Sequence, residues 1–166
     1  MRITRSQQDY LESLYILSGR EPVVRVRDIA SFLRVKMASV TGMLRSLADK
    51  ELVTYKRYGY AILTKEGEKI AKKIVKKHNE SKEFLTYILG VSEDEAQKVA
   101  CQMEHSLSEE ISRRLAMFVR FIRQCPLCGD NLLLHFSRFV RSGRIHRSEC
   151  KKCVQSHLSS LVGEKR

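Results

Sequence analysis

The chain has 166 residues and a formal net charge of +12, from 31 Lys and Arg against 19 Asp and Glu. Its length suits one medium domain or two small ones, and its hydrophobic content of 43% is ordinary for a folded protein. It has no long apolar run and no signal-peptide core, so we expect a cytoplasmic protein without a membrane partner. The basic surplus indicates nucleic acid as a partner, with a solvated basic surface as the alternative.

Three helices and a hairpin are predicted for the first part of the chain. A capping box at Ser6–Asp9 opens the first helix. Apolar periodicity predicts the next two helices over Val26–Leu33 and Met37–Asp49, and residues 52–63 read as two short strands around a turn. This order of elements predicts a winged helix-turn-helix DNA-binding domain over residues 1–64.

The third predicted helix has an outer face of small polar residues and one arginine, which lets a helix approach DNA closely. We expect this helix to enter the major groove and the basic hairpin to contact the phosphate backbone beside it. A winged helix used for protein contacts is the alternative, and the basic hairpin favours DNA. The expected DNA-binding residues are Arg27, Lys36, Ser39, Thr41, Arg45, Lys56 and Arg57.

A long helix is predicted from Lys65 to Tyr87, with Thr64 as its cap and Gly90 at its end. His78 continues an apolar face of this helix at a spacing of four residues. By the pattern alone, His78 is therefore expected to be a buried core histidine.

The following helix, opened by a capping box at residues 92–95, carries a thiol, a carboxylate and an imidazole on one face. Cys101, Glu104 and His105 stand at i, i+3 and i+4, which places them within an arc of roughly 100°. Donors of this mixed kind suit a first-row transition metal better than Ca²⁺ or Mg²⁺. The alternative is solvated surface decoration.

A further helix, which a capping box at residues 106–109 would open, has an apolar stripe that needs a partner. Its Glu and Arg residues are also spaced as i,i+4 pairs. We expect an all-helical dimerisation domain over residues 65–124, and a two-fold homodimer that matches a palindromic DNA site. The stripe consists of Ile111, Leu115, Phe118, Val119 and Ile122.

The tail contains two CxxC motifs, formed by Cys125 with Cys128 and by Cys150 with Cys153. Four thiolates at this spacing predict a structural Zn²⁺ in a zinc-ribbon-like module over residues 125–156. An iron–sulfur cluster and a redox dithiol are the alternatives. The module either adds phosphate contacts or supports the dimer, and residues 157–166 are expected to be disordered.

Short motifs in a fixed order identify a resemblance over about residues 4–124. The sequence resembles the diphtheria toxin repressor family, including its manganese transport regulator branch. The motifs that carry the resemblance are Asp9–Glu12, Val26–Ala30, Ser39–Thr41, Leu63–Thr64, His78 and Cys101-x-x-Glu104-His105.

The resemblance implies a mainly α fold, with a winged helix joined to a helical dimerisation domain and Mn²⁺ or Fe²⁺ bound between them. By resemblance, Cys101 stands where the manganese branch has a glutamate and the iron branch a cysteine. Asp9 stands where the iron branch has a methionine, although it could instead cap its helix. Two positions of the iron branch's ancillary site are occupied by Lys82 and Gln97. The implied regulatory ligands are Asp9, Glu12, His78, Cys101, Glu104 and His105.

These features predict a metal-activated repressor of metal uptake genes that binds operator DNA as a homodimer. The alternative is a winged-helix regulator with structural zinc only. A metalloenzyme is disfavoured, since no general base, nucleophile or phosphate-binding loop accompanies the ligands, and no small organic substrate is expected.

Overall fold

The structure of the protein, a computed structural model, describes residues 3–20, 23–56, 59–125, 129–145, 147–148, 151, 154–155 and 159. These residues form a mainly helical fold with one small three-stranded sheet. The chain divides into two compact units, Met1–His78 and Asn79–Arg166. No helix in the described part of the chain has both the length and the apolarity needed to cross a bilayer.

The first unit has the helices of a helix-turn-helix, α1 (Arg5–Ser18), α2 (Val26–Leu33) and α3 (Met37–Asp49). The bounds of α2 and α3 agree with the prediction, because most of their apolar positions recur at helical spacing and face one core, whereas Phe32 and Met37 are exposed. That core includes the sheet and one residue of the following helix. Its buried members are Tyr10, Leu11, Leu14, Val24, Ile29, Ala30, Val40, Leu44, Leu47, Leu52, Val53, Ala61 and Ala71.

Helix α1 begins earlier than predicted, at a capping box formed by Thr4 and Gln7. The Gln7 N–H donates to Thr4 Oγ1 at 3.3 Å, and the Thr4 N–H donates to Gln7 Oε1 at 3.2 Å. The predicted capping box at Ser6–Asp9 is wrong, because both residues already lie inside the helix. Asp9 is therefore not an N-terminal cap.

The sheet contains a strand that the sequence pattern did not indicate. Strands β2 (Val53–Lys56) and β3 (Tyr60–Leu63) form the predicted antiparallel hairpin. A two-residue strand β1 (Val24–Arg25) pairs with the other edge of β3, so the strand order is β1-β3-β2. Two residues are too few to show an alternating pattern, and only their pairing reveals them.

Helix α4 (Lys65–Glu83) begins at the predicted residue. The Gly67 N–H donates to the Thr64 hydroxyl at 3.1 Å, and this hydroxyl donates to the Glu51 carbonyl at 2.8 Å. Gly67 packs so closely that a Cβ there would lie 1.9 Å from the Leu52 carbonyl oxygen. The start of α4 is thus held against the chain that leaves α3.

The α-helix ends before the predicted Tyr87 and passes into a π-helical turn at Phe84–Ile88. The Thr86 hydroxyl donates to the Lys82 carbonyl at 3.0 Å, and a side chain that bonds back to the helix in this way often bends it. Gly90 follows with a positive φ of 68°, as expected for a residue that ends a helix.

The second unit contains α5 (Glu93–Met103), α6 (Glu109–Gln124) and α7 (Gly129–Ser142). The Ser92 hydroxyl caps α5 as predicted, accepting from the Glu95 N–H at 3.3 Å. The predicted cap of α6 is wrong, since Ser108 and not Ser106 accepts from the helix. The unit has two small clusters, whose buried members are Leu85, Ala96 and Ala100 in one and Ile88, Val119 and Ile122 in the other.

The tail differs from a ribbon of strands in its described part. Helix α7 occupies most of the sequence between the two CxxC motifs, and Leu133 packs against the cluster around Ile122. Apolar residues at helical spacing in residues 132–140 account for this helix. The zinc-ribbon-like form expected for residues 125–156 is therefore wrong for α7.

Candidate metal centre and nucleic-acid interface

The outer face of α3 is open to a ligand. Lys36 at its N-cap, Ser39 and Arg45 are exposed, and the first turn contains no acidic residue. Thr41 is half-buried, and its hydroxyl donates to the Met37 carbonyl at 3.1 Å. Lys36, Ser39 and Arg45 are thus available to a polyanion, whereas the Thr41 hydroxyl is engaged within the helix.

Two further predicted DNA-binding residues lie outside α3. Arg27 is exposed on α2, with its Nε 3.5 Å from an Asp28 oxygen. Lys56 is exposed at the end of β2, with its Nζ 5.7 Å from the centre of the Tyr60 ring. Arg57 lies outside the described residues.

Gln7 positions α3 and was missed by the sequence analysis. Its Nε2 donates to Ser46 Oγ at 3.1 Å, and its Oε1 accepts from Lys50 Nζ at 2.9 Å. A buried amide with both ends bonded fixes α1 against α3. The only signal in the sequence was its helical spacing from Leu11 and Leu14, a polar residue on an apolar face.

Cys101, Glu104 and His105 come together in the second unit. Helix α5 ends at Met103, so the expectation that all three lie within a helix is wrong for the last two. Glu104 still has helical backbone angles, φ −56° and ψ −33°, and its N–H donates to the Ala100 carbonyl at 3.0 Å. The helical spacing persists through this turn, and the ligand atoms of the three side chains lie within 4.8 Å of one another.

The surroundings of this cluster suit a cation. The Glu104 side chain is fully buried and that of His105 is 6% exposed, with Glu104 Oε1 3.2 Å from His105 Nε2. A buried carboxylate is costly unless positive charge faces it. With the Cys101 sulfur, the cluster combines soft, borderline and hard donors, a set typical of first-row transition metal sites. The residues present therefore fit a divalent transition metal ion.

Glu12 on α1 and His78 on α4 face each other within the first unit. Glu12 Oε1 lies 3.9 Å from His78 Nδ1, beyond hydrogen-bond distance, and the side chains are 14% and 9% exposed. The burial expected for His78 is confirmed, and Glu12 is nearly buried beside it. A nearly buried carboxylate beside an imidazole is a second pair of metal-ligating groups.

Asp9 stands on the same side of α1 as Glu12, three residues before it. It is half-buried, and its charge acts on the neighbouring Tyr10. Burial, with a smaller contribution from the Asp9 carboxylate, raises the pKa of the Tyr10 hydroxyl.

Neither position of the ancillary site implied by the resemblance carries a metal ligand. Lys82 Nζ lies 2.7 Å from Glu93 Oε2, and Gln97 is exposed on α5. In this part of the second unit, a cationic side chain already neutralises a carboxylate.

Helix α6 has two apolar faces. Val119 and Ile122 are buried within the chain, whereas Ile111 and Phe118 of the predicted stripe are largely exposed. Met117 and Phe121 extend this exposed face and were not in the predicted stripe. A chain on its own leaves the second apolar face of α6 in water.

The structure describes one of the four tail cysteines. Cys125 is half-buried at the end of α6, and its carbonyl accepts from the Gly129 N–H at 3.1 Å. Cys128, Cys150 and Cys153 lie outside the described residues.

Comparison with known proteins gives a DNA-binding domain followed by a metal-binding and dimerisation domain. A family model described as "Iron dependent repressor, N-terminal DNA binding domain" matches residues 2–61, and one described as "Iron dependent repressor, metal binding and dimerisation domain" matches residues 64–132. A transcriptional regulator of Methanocaldococcus jannaschii is 36% identical over 118 residues, which are 70% of this chain and 94% of that protein. The chain belongs to the iron-dependent repressor family.

This chain is also similar to a second transcriptional regulator and to a repressor of known structure. The transcriptional regulator MntR of Geobacillus kaustophilus is 35% identical over 121 residues, which are 73% of this chain and 85% of that protein. A manganese-dependent transcriptional repressor, solved in complex with manganese, superposes with a TM-score of 0.64 and 27% identity. That match covers 69% of this chain and 53% of the solved one, so this member spans about half the length of that repressor. The family's metal binding and dimerisation domain contains Cys101, Glu104, His105 and α6.

Proposed function

We propose that this protein is a transcriptional repressor whose binding to operator DNA is activated by Mn²⁺ or Fe²⁺, and that it controls genes of metal uptake. The observation that supports this most directly is the cluster of half-buried Cys101, buried Glu104 and half-buried His105, whose ligand atoms lie within 4.8 Å of one another. A transition metal ion is the chemistry that this donor set fits. Membership of a family with a DNA-binding domain and a metal-binding domain supports the rest.

The proposed switch uses ligands from both halves of the chain. Asp9, Glu12 and His78 belong to the DNA-binding half, and Cys101, Glu104 and His105 to the dimerisation half. An ion held by both groups would supply the positive charge that the clustered carboxylates need. The ligands would then hold the two modules in one orientation and set the spacing of the recognition helices, with a coupling of about 1–3 kcal/mol.

A homodimer completes the proposal. Its interface would be the exposed apolar face of α6, defined by Ile111, Met117, Phe118 and Phe121. A two-fold dimer presents two α3 helices, as a palindromic operator requires. On each α3, Arg45 is the candidate base-reading side chain, because it is the exposed cation on the helix itself.

The Cys101 ligand bears on which ion is preferred. A thiolate binds Fe²⁺ better than the harder Mn²⁺, which prefers carboxylate. We therefore expect Cys101→Glu to raise the response to Mn²⁺ relative to Fe²⁺.

The tail would hold a structural Zn²⁺ through Cys125, Cys128, Cys150 and Cys153. Support for this comes from the two CxxC motifs alone. In the proposal the tail ion stabilises the fold and takes no part in the regulatory response.

The experiment is a DNA-binding titration with metal-stripped protein, run anaerobically by fluorescence anisotropy on an operator selected from random-sequence DNA. Mn²⁺ or Fe²⁺ should tighten specific binding at least about tenfold, whereas Mg²⁺ should not. Glu104→Gln keeps the shape of the side chain but removes its charge, and it should abolish the response. Glu95→Gln, at an exposed position of α5, should leave the response unchanged.

A second measurement tests the cluster directly. Co²⁺ bound by a thiolate gives a near-ultraviolet charge-transfer band, and Cys101→Ser should remove part of the band while the tail cysteines keep theirs. A flat DNA titration in folded, dimeric protein would contradict metal activation and favour a winged-helix regulator with structural zinc only.

A further inference from the structure

Helix α7 carries a groove, here called the α7 groove, with a volume of about 240 Å³. It lies in a part of the chain that the family models match only as far as residue 132. Its apolar lining comes from Leu132, Phe136, Phe139 and Ile145, and its charged or titratable lining from His135, Arg138 and Arg144.

A tight turn after α7 builds one wall of the groove. Gly143 has a positive φ of 64°, and its N–H donates to the Phe139 carbonyl at 2.7 Å. The Arg144 N–H donates to the Ser142 hydroxyl at 3.2 Å. This turn brings Arg144 and Ile145 back beside the last turn of the helix, so the groove combines a helix face with a fixed reversal of the chain.

The lining of the groove favours a ligand with a negative charge. Among the described residues that line it, every charged or titratable side chain is a base or a cation. An arginine guanidinium binds a carboxylate with two parallel hydrogen bonds, a geometry that a lysine or a neutral group does not offer. The four apolar side chains require an apolar body behind that anionic group.

The size of the groove specifies the size of its ligand. A cavity of about 150 Å³ lined by apolar side chains accommodates benzene, and the α7 groove is larger. It therefore accepts a ring with a short substituent or a medium-length alkyl chain. It is smaller than the pockets of roughly 300–1,000 Å³ that bind drug-sized ligands.

We propose that the α7 groove binds a small organic monocarboxylate with an apolar body, as a ligand site separate from the metal cluster. Leu132, Phe136, Phe139 and Ile145, three of them themselves exposed, contact the apolar body from one side. Arg144, with Arg138 and His135 beside it, binds the carboxylate. This proposal does not depend on metal activation, since its residues include none of the regulatory ligands.

The experiment is calorimetric titration of the full chain with octanoate as the probe and octanol as its neutral counterpart. Octanoate should bind once per chain with a Kd of about 0.1–1 mM. Octanol should bind at least about tenfold more weakly, because it cannot form the charge-assisted hydrogen bonds of the carboxylate.

Matched variants separate the two parts of the site. Arg144→Gln should weaken octanoate binding by about tenfold, whereas Arg141→Gln, in the last turn of α7 and outside the groove, should have no effect. Phe139→Ala should weaken octanoate and octanol alike, while Val140→Ala, at an exposed position beside it, should weaken neither.

Three outcomes would overturn the proposal. They are the absence of octanoate binding, equal affinities for octanoate and octanol, and equal effects of Arg144→Gln and Arg141→Gln. Sedimentation of the ligand-free variants adds a fourth. If Phe139→Ala changes the oligomeric state, the groove is an interface between copies of this chain and not a ligand site.

Discussion

The two units close their cores to different extents. The first unit buries thirteen apolar residues in one cluster, whereas the second divides its core into two clusters of three. Among the described residues, eleven large apolar side chains of the second unit are exposed, against five of the first. The first unit is thus self-sufficient, and the second has apolar surface still to bury.

This difference matches the roles proposed for the two units. A domain that reads DNA must present a polar, cationic face, and it can do so when its apolar residues are already buried. A domain that assembles with a second copy keeps an apolar face for that purpose. The cluster of Cys101, Glu104 and His105 lies at the end of α5, in the unit whose own packing is weaker. Elements of low local stability are those that a ligand can reorganise at least cost.

The prediction with the largest expected effect concerns the exposed apolar face of α6 in the second unit. Phe121→Asp puts a charge on the exposed apolar face of α6 and should raise the dimer dissociation constant more than about a hundredfold. A two-fold interface contains this position twice, and each buried Phe contributes about 1.5–3 kcal/mol. Sedimentation equilibrium measures the change.

The control for the dimer prediction is Ile62→Asp, at an exposed apolar position in β3 of the first unit. It should leave the dimer intact. A Phe121→Asp protein that sediments as the unchanged dimer would place the interface elsewhere.

The next prediction tests the closed packing of the first unit. Gly67→Ala should destabilise the protein by about 1–3 kcal/mol, because the new Cβ meets the Leu52 carbonyl oxygen and the backbone must move. Gly42→Ala is the matched control, since a Cβ at this helical glycine meets no atom within 4 Å. It should stabilise α3 by up to about 1 kcal/mol. Urea denaturation distinguishes the two, and equal losses would contradict the close approach.

The next prediction, with an expected change in free energy of similar or smaller size, concerns the exposed face of α3 in the first unit. Arg45→Ala should weaken operator binding by about 1–3 kcal/mol in the metal-saturated protein and relax the preference for one base pair. Lys69→Ala, at an exposed cation on α4, should leave that preference unchanged. Anisotropy titrations on a set of single-base operator variants provide the measurement. An Arg45→Ala protein with undiminished affinity would mean that α3 does not read the site.

The smallest expected effect concerns the surface of α6. Hydrogen bonds from Arg114 and then Arg113 lower the pKa of the Glu110 carboxyl below its ordinary 4.5. Because this pKa is lower in the folded state, the stabilisation is present above about pH 4.5 and is lost as the pH falls through the folded value.

Glu110→Gln should therefore melt slightly below the parent protein at neutral pH and together with it in acid. Thermal denaturation from neutral to acidic pH provides the measurement. Glu110 is exposed, so the difference should also shrink in high salt. A difference that persists in acid would rule out the ion pairs as its cause.

Local sequence patterns predicted the bounds of a helix correctly where its buried side chains face a single core. The bounds of α2 and α3 agree with the prediction because most of their apolar side chains recur at helical spacing and face the same interior. Capping was less predictable, since T-x-x-Q at Thr4 and S-x-x-D at Ser6 both fit the pattern. Gln7 also bonds to Ser46 on α3 and to Lys50 at the C-cap of α3, and these distant contacts favour the capping box at Thr4 over the one at Ser6.

The candidate metal site likewise has one part that the local sequence pattern predicted and one part that it did not. The spacing of Cys101, Glu104 and His105 was enough to predict that they meet, because one helical turn determines it. The approach of Glu12 to His78 joins residues far apart in sequence, and only the resemblance to a family indicated it before the structure.

By itself, the sequence determined the winged helix, the meeting of Cys101, Glu104 and His105 at the end of α5 and the basic character of the protein. Each of these depends on residues a few positions apart or on composition. Only the tertiary structure decided the pairing of β1, the depth at which Glu104 is buried, and which side of α6 stays exposed. These depend on contacts between distant segments, and the free energy of such contacts is not encoded in any local pattern.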